Sequence, residues 1–305
     1  MTQLCSHCVG LAVYLDRASH EHLCEHHLSL RVERAVRRTV AAAGGFRRGE
    51  RLAVAFSGGK DSSVLLHLLA TIFRPEDGVD LVAVTVDEGI AGYRDETVRA
   101  ARALATRLGV PHRVVSFEDA FGRGLDSLLV GREARACTVC GVLRRRLLQQ
   151  EARELGADRL ATGHCLDDEA EAVVMNWLRG DLYRVTGARP SGGEELLVPR
   201  IKPLACLPEK EVVSYALLHD LAFDLPECPY TGHALRAGVR GMVHRAEYGT
   251  PGTLGRIVSG QRALEERLAG CQPPARFSTC PECGEPILGA VCRTCRLLAG
   301  SGDKH

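Results

Sequence analysis

Between residues 51 and 178 short apolar runs alternate with amphipathic ones, and this alternation constrains the fold more than any other feature of the chain. Residues 51–56 (RLAVAF), 81–86 (LVAVTV), 113–117 and 159–162 read as strands, and residues 61–73, 95–108, 141–155 and 167–178 as the helices between them. Buried apolar strands separated by amphipathic helices predict an α/β fold, a doubly wound parallel sheet covered on both faces. Such sheets take ligands at the carboxyl ends of their strands. The residues just after each strand are therefore where chemistry is expected.

After the first strand comes Ser57-Gly58-Gly59-Lys60-Asp61-Ser62. Paired glycines let the backbone turn tightly and approach a ligand, and the helix that follows points its first amides at it, which makes an anion site. The loop is not a Walker A sequence, because Asp61 follows Lys60 and the earlier glycine is missing, and it is not the dinucleotide fingerprint. An ordinary glycine-rich turn with a Ser/Asp cap is the plain alternative. Six matching residues in a strand–loop–helix setting argue against it, and they resemble the PP-loop ATP pyrophosphatases, whose signature is SGGxDS. That resemblance implies an adenine nucleotide alpha-hydrolase-like fold, ATP binding, adenylation of a carbonyl oxygen and release of pyrophosphate.

The second strand runs out at Val86-Asp87-Glu88-Gly89, and the fourth into Thr162-Gly163-His164-Cys165-Leu166-Asp167-Asp168-Glu169. Gly163 allows close backbone approach to a nucleotide. The adjacent carboxylates suit magnesium, or a proton acceptor as substrate is activated. Acids also favour helix N-termini for electrostatic reasons alone, so one of the pair is open to being only a cap; Asp168 is the expected functional one.

Thirteen cysteines sit in a chain whose start, MTQLCSHC, has no basic segment followed by an apolar one. No run approaches a membrane span. A cytoplasmic protein with metal sites is expected rather than a disulfide framework. Cys5-x2-Cys8 and Cys24-x2-His27 supply four corners of a zinc tetrahedron, with His22 or His26 as alternatives to His27. Cys280-x2-Cys283 and Cys292-x2-Cys295 form a knuckle-like set among Pro281, Gly284, Pro286 and Gly289. Both sets read as structural zinc sites, in segments too short for a core of their own, where metal binding provides most of the folding free energy. The expected organisation is a zinc module at 1–30, the main domain at 31–270 and a zinc knuckle at 271–305. A third set is Cys137-x2-Cys140, read as preceding the 141–155 helix, with Cys228 alone in Pro226-Glu227-Cys228-Pro229-Tyr230. Three thiolates suit an iron–sulfur cluster with one open iron, a redox CxxC pair with a resolving cysteine, or a third zinc. Spacing leaves the three readings level. Cys165, Cys206 and Cys271 read as incidental.

Net charge is +1 and excludes little, but the charges are not evenly spread. Residues 31–51 hold Arg31, Arg34, Arg37, Arg38, Arg47, Arg48 and Arg51 against Glu33 and Glu50. Residues 230–262 hold Arg236, Arg240, Arg245, Arg256 and Arg262 against Glu247. Two basic stretches suggest a polyanion surface, although 35 arginines against 4 lysines is equally what a GC-rich genome produces.

The order of motifs along residues 1–297 resembles the TtuA/Ncs-type tRNA uridine 2-sulfurtransferases. It runs CxxC…CxxH, SGGKDS, CxxCG, TGHxxDDEA, Pro199-Arg200-Ile201-Lys202-Pro203-Leu204, ECPY, Glu247…Pro251-Gly252-Thr253, and the C-terminal CxxC…CxxC. The resemblance implies that Cys137, Cys140 and Cys228 hold a [4Fe–4S] cluster. It implies ATP contacts at Ala55, Ser57, Gly58, Gly59, Lys60, Asp61 and Ser62, with Val86 near the adenine and Gly163 and Asp168 near the phosphates and magnesium. It also implies adenylation at the uracil O2, attack at C2 by sulfide held on the open iron, and departure of AMP. Cys137, Cys140 and Asp168 are then the expected catalytic residues, and ATP, Mg2+, the cluster and two Zn2+ the expected cofactors. The partners it implies are tRNA, a sulfur donor such as a ubiquitin-like thiocarboxylate carrier, and a second copy of the chain in a homodimer. One departure stands out. The family lysine four residues after the second CxxC cysteine is here Arg144, which can grip phosphate bidentately but cannot donate a proton at neutral pH. Cytidine-thiolating PP-loop enzymes share SGGKDS and the cysteine triplet but lack the zinc modules. An amidase-type PP-loop enzyme, or an RNA-binding or redox-sensing iron–sulfur protein on the same fold, are the other readings.

Overall fold

The computed structural model describes residues 3–187, 197–221, 228–230, 235–269 and 276–299. Cys271, Pro226 and Glu227 lie outside them. The chain opens with a hairpin, β1 (Tyr14–Asp16) and β2 (Glu21–Leu23), and a long helix α1 (Glu25–Ala42). The main sheet begins at β3 (Arg51–Ala55), followed by α2 (Lys60–Leu68), a π turn (Leu69–Phe73) and the short α3 (Arg74–Asp77). Next come β4 (Asp80–Asp87), α4 (Arg94–Arg107), β5 (His112–Ser116), α5 (Phe117–Phe121), α6 (Leu125–Leu129) and α7 (Ala136–Glu154). Then follow β6 (Arg159–Ala161), α8 (Leu166–Leu178), α9 (Leu182–Val185), β7 (Arg200–Ile201) and α10 (Glu209–Leu218). The chain continues through α11 (Leu235–Gly249), α12 (Thr253–Leu268), a small hairpin of β8 (Ser278–Thr279) and β9 (Pro286–Ile287), and α13 (Arg293–Leu298).

The central sheet has five parallel strands in the order β5-β4-β3-β6-β7. Its strands alternate cleanly between faces, as the two-residue period of a strand requires. Leu52, Val54, Leu81 and Ala83 join the core under α1, α2, α4 and α10, while Ala53, Val84 and Val86 pack on the opposite side. Helix α1 docks through Leu28, Val32, Ala35, Val36 and Val40, one stripe at helical spacing, which leaves its arginines on the other face.

Chain order reverses at the centre of this sheet: β4 and β5 lie to one side of β3, β6 and β7 to the other. A crevice must open at the carboxyl ends of β3 and β6, where the two connections diverge. The expected doubly wound α/β sheet is therefore present, with three differences of detail. A fifth strand, β7, lies within the Pro199–Leu204 motif; at two residues it is too short to show an apolar run. The helix expected over 61–73 is α-helical only to Leu68. The helix expected from Gly141 starts at Ala136, so Cys137 and Cys140 lie inside its first turns rather than before it. Burial of Ala136, Val139 and Leu143 against Phe117, Leu125 and Leu129 draws those residues into the helix despite a β-branched Thr138–Val139 pair.

Candidate active site and metal centres

The SGGKDS loop connects β3 to α2 and is laced by its own serines. The amide of Ser57 donates to Ser62 Oγ (3.2 Å), the two hydroxyls lie 3.1 Å apart, Ser62 Oγ donates to the Gly59 carbonyl (2.9 Å) and the Gly59 amide donates to Ser57 Oγ (3.3 Å). Gly58 has φ +85°, and a Cβ there would stand 2.5 Å from the Thr97 carbonyl oxygen, so no other residue fits. Across the crevice, a Cβ on Gly163 would lie 3.0 Å from the Asp61 carbonyl. The two loops thus meet backbone to backbone at the point where the strand order reverses.

The charges gather at the same place. Lys60 Nζ lies 3.0 Å from Asp61 Oδ2 and 2.6 Å from Glu209 Oε1. Burial works to lower the Lys60 pKa, but these two carboxylates hold it above its ordinary value. Burial pushes Asp61 up, against the pull of Lys60 and with Asp168 adding to the rise, so Asp61 and Asp168 feel one another across the crevice. Asp61 Oδ1 is buried and has no hydrogen-bond partner among the described residues. An orphaned carboxylate oxygen beside an amide-lined loop is a fit for a hard cation and a phosphate. Glu209, at the start of α10, was invisible in the sequence because nothing in its surroundings marks it as a partner of a residue so far upstream.

Asp167 and Asp168 have different partners. Asp168 caps α8 while facing the crevice: its Oδ2 accepts from the Cys165 amide (3.1 Å), while Oδ1 lies 3.2 Å from Arg236 Nη1. Asp167 takes the Glu209 amide (2.6 Å) and faces His244 Nε2 at 3.3 Å. Cys165, read as incidental, is the buried N-cap residue of α8.

One strand over, at the carboxyl end of β4, lie the three cysteines. Val86, Ile90, Val139 and Leu143 form a core patch against which Tyr93, Cys140, Cys228 and Tyr230 are packed. Burial pushes the Cys140 thiol up to about 12. Cys137 Sγ reaches the Tyr230 carbonyl at 3.6 Å, and Tyr230 Oη donates to Asp126 Oδ1 at 2.8 Å, which ties the segment carrying Cys228 to the loop after β4. Val86, expected near the adenine, is buried on this cysteine side, and its carbonyl accepts from Arg94. Arg144, 48% exposed, lies 3.4 Å from the buried Glu88, whose other oxygen is 2.7 Å from Arg94 Nε. Arg144 is therefore held beside Cys140 by a carboxylate that the sequence did not single out.

The two outer sets each bring four donor atoms close enough to hold one ion. His27 Nδ1 lies 3.5 Å from Cys5 Sγ, 3.5 Å from Cys8 Sγ and 3.3 Å from Cys24 Sγ, which selects His27 over His22 and His26. Cys280, Cys283, Cys292 and Cys295 likewise present four sulfurs within 4.8 Å of one another. The amide of Cys292 donates to Cys280 Sγ at 3.3 Å and holds that thiol down to about 6. Four soft donors at tetrahedral spacing fit zinc. Cys137, Cys140 and Cys228 do not gather within 4.8 Å, so they do not surround one ion as the outer sets do. The knuckle is tied to α7 through Glu285, which pairs with Arg153 and lies 2.8 Å from Arg146 Nη1. Part of the basic character seen in the sequence is spent within the fold: Arg31 on Asp16 and Glu211, Arg37 on Glu76, Arg51 on Asp80, Arg240 on Glu171.

Among the described residues no helix is long and apolar enough to cross a membrane. The PP-loop domain family matches residues 28–246. The chain is 38% identical to the tRNA 2-thiolation protein NcsA of Haloferax volcanii, over 96% of this chain and 98% of that one. It is 36% identical to the cytoplasmic tRNA 2-thiolation protein 1 of Drosophila melanogaster, over 97% of this chain and 87% of the relative. Among solved structures it is similar to the U34-tRNA thiolase NcsA of Methanococcus maripaludis with its [4Fe–4S] cluster, at a TM-score of 0.82 and 30% identity, covering 100% of this chain and 98% of that one. A charged crevice at the centre of the sheet, a cysteine triplet one strand away and a cysteine-rich segment at each end are thus found in a chain that belongs to the PP-loop family of tRNA 2-thiolation proteins.

Proposed function

We propose that the protein is an ATP-dependent tRNA-uridine 2-sulfurtransferase acting in the cytoplasm on the wobble uridine, U34. The observation that carries this reading is the placement of Cys137, Cys140 and Cys228 at the carboxyl end of β4, next to the strand whose end bears SGGKDS. An activating site and a sulfur site on neighbouring strand ends let one base be served by both.

The first-turn amides of α2 and the backbone of Gly58, Gly59 and Gly163 bind the triphosphate, and Lys60 offsets its charge. Asp61, through its orphaned oxygen, and Asp168 would hold magnesium. The uracil O2 attacks the α-phosphorus, pyrophosphate leaves, and sulfide then adds at C2 and displaces AMP, which carries away the former O2. When bound, a [4Fe–4S] cluster on Cys137, Cys140 and Cys228 supplies the carrier for that sulfide, keeping it ionised and close to the activated base. Arg144, held by Glu88, keeps a positive charge beside Cys140 and toward the nucleotide, where it stabilises developing negative charge without donating a proton. Two structural zinc ions, on Cys5, Cys8, Cys24 and His27 and on Cys280, Cys283, Cys292 and Cys295, hold the end modules. A thiocarboxylate carrier protein as sulfur donor and a homodimeric assembly complete the proposal.

Mass spectrometry of tRNA nucleosides from a deletion strain tests it. Loss of 2-thiouridine derivatives at the wobble position is expected. Loss of 2-thiocytidine instead, or an unchanged nucleoside profile, would overturn it.

A further inference from the structure

Two adjoining concavities run along the exposed face of α1. A cavity of about 780 Å³ lies between the β1–β2 hairpin, the start of α10 and the turn joining α11 to α12. A second, of about 690 Å³, extends along α1 toward His27. Arg31 and Arg38 line both, so the two form one continuous track.

The carboxylates along this track are held inward, and none of them is exposed. Asp16 and Glu211 lie 2.6 and 3.0 Å from Arg31, Glu209 is held by Lys60, and Asp167 faces His244. Glu247 is spent differently: its two oxygens accept the amides of Gly252 (2.8 Å) and Leu254 (2.9 Å), which accounts for the Glu247…Pro251-Gly252-Thr253 motif as the pin of the α11–α12 turn. The basic side chains of the rim are not compensated. Arg34 and Arg38 are exposed, and neither has an acidic partner among the described residues. They stand four residues apart on one helix face, where like charges repel. Lys210 is exposed and rests on the Tyr14 ring at 4.9 Å. A surface that keeps its acids inward and its cations outward presents positive charge to a polyanion.

The mouth of the cavity carries a feature that a phosphate backbone alone does not use. Tyr248 is 75% exposed at the end of α11, and the Arg17 guanidinium lies 4.4 Å from its ring centroid. An exposed aromatic ring flanked by arginine is a stacking platform for a nucleobase, and only unpaired bases have a face to offer.

We infer that this track seats a single-stranded segment of the tRNA, loop nucleotides rather than a paired stem. Arg34, Arg38 and Lys210 contact its phosphates, and Tyr248 with Arg17 stacks an unpaired base. The inner end of the track reaches Glu209, which touches Lys60, so a strand lying in it is delivered to the edge of the ATP crevice. This rests on the proposed action on tRNA and adds to it which part of the RNA is held and by which residues.

The test is fluorescence anisotropy of the full-length protein with a labelled single-stranded RNA, a duplex of the same sequence, and whole tRNA, each across a salt series. Wild type is expected to favour the single strand and tRNA over the duplex. Tyr248→Ala should weaken single-strand binding by roughly 5- to 100-fold, with recovery in Tyr248→Phe. The Arg34→Ala/Arg38→Ala pair should lower the slope of log affinity against log salt by about 1.4. Zinc content and ATP binding, read in parallel, should stay at wild-type values in all variants. Variants that bind single strands and tRNA as wild type does, or a wild type that prefers the duplex, would overturn the inference while leaving tRNA thiolation standing. A wild type that binds no tRNA at all would overturn the thiolation reading and this inference with it.

Discussion

Gly58 and Gly59 are neighbours in one loop, yet the protein's own packing requires glycine only at the first. Gly58 combines φ +85° with a hypothetical Cβ only 2.5 Å from the Thr97 carbonyl oxygen, whereas Gly59 has φ −76° and would meet nothing nearer than Ser57 Oγ at 3.5 Å. Gly58→Ala therefore carries about 1–2 kcal/mol for the left-handed backbone and about 1–3 kcal/mol more for overlap with α4. A loss of roughly 2–5 kcal/mol corresponds to a fall in Tm of roughly 3–8 °C in a chain of this size. Gly59→Ala meets no such barrier. Reduced freedom in the unfolded chain offsets the poorer N-cap, so stability should change by no more than about 1 kcal/mol. Its effect should fall on ATP instead, because a methyl group there intrudes where phosphate approaches the first amides of α2. Losing one or two charge-assisted hydrogen bonds, about 1.5–3 kcal/mol each, weakens ATP binding at least roughly 10-fold. Thermal melts and calorimetric titration with ATP and magnesium on both variants separate the two effects. A Gly59→Ala protein that binds ATP as wild type does would refute the placement of phosphate on this loop, and a Gly58→Ala protein with an unchanged Tm would refute the steric argument.

Asp61→Ala and Asp168→Ala should each abolish AMP and pyrophosphate formation while leaving zinc content intact; a variant with full turnover would remove that residue from the magnesium site. Glu285→Ala frees the C-terminal knuckle from Arg146 and Arg153 of α7. Breaking this partly buried pair, worth about 1–3 kcal/mol, should speed limited proteolysis near residue 270 with zinc retained, and unchanged proteolysis would show the knuckle is held otherwise. Burial, with His219 and Arg107 nearby, pushes the His67 ring down to about 4, below its unfolded value of about 6.5. The unfolded chain takes up that proton first, so the contribution is whole above about pH 6.5 and is lost toward pH 4, by up to about 3 kcal/mol. Denaturant titrations at pH 7.5 and 4.5 should show His67→Leu losing less stability than wild type over that interval; equal losses would contradict it.

The doubly wound sheet, the SGGKDS turn between its first strand and helix, and the two outer Cys/His clusters were legible in the sequence because each is written locally: uniform apolar strands, a six-residue loop, close pairs of cysteines. What could not be read depends on contacts between distant segments. Glu209 meets Lys60, Glu88 holds Arg144 and Arg94, and Asp126 takes the hydroxyl of Tyr230, each across a separation that no spacing rule covers. The start of α7 was misplaced for a related reason. Gly141 and the β-branched Thr138–Val139 pair argue locally against helix, and only burial of Ala136 and Val139 against α6 reverses that preference. Asp167 and Asp168 are indistinguishable by composition; which one caps α8 is decided by where Arg236, Glu209 and His244 arrive from later in the chain.

In the proposed reaction one chain activates a tRNA uridine with ATP and replaces its oxygen with sulfur. The direct measurement is an anaerobic single-vessel reaction of the iron-reconstituted protein with tRNA, ATP, magnesium and sulfide, in which nucleotides and digested tRNA nucleosides are quantified by mass spectrometry. The expected result is tRNA-dependent AMP in at least equal amount to the 2-thiouridine formed, and loss of the thionucleoside in Cys137→Ala, Cys140→Ala and Cys228→Ala. ADP as the tRNA-dependent product, or full 2-thiouridine formation by iron-free protein, would contradict it.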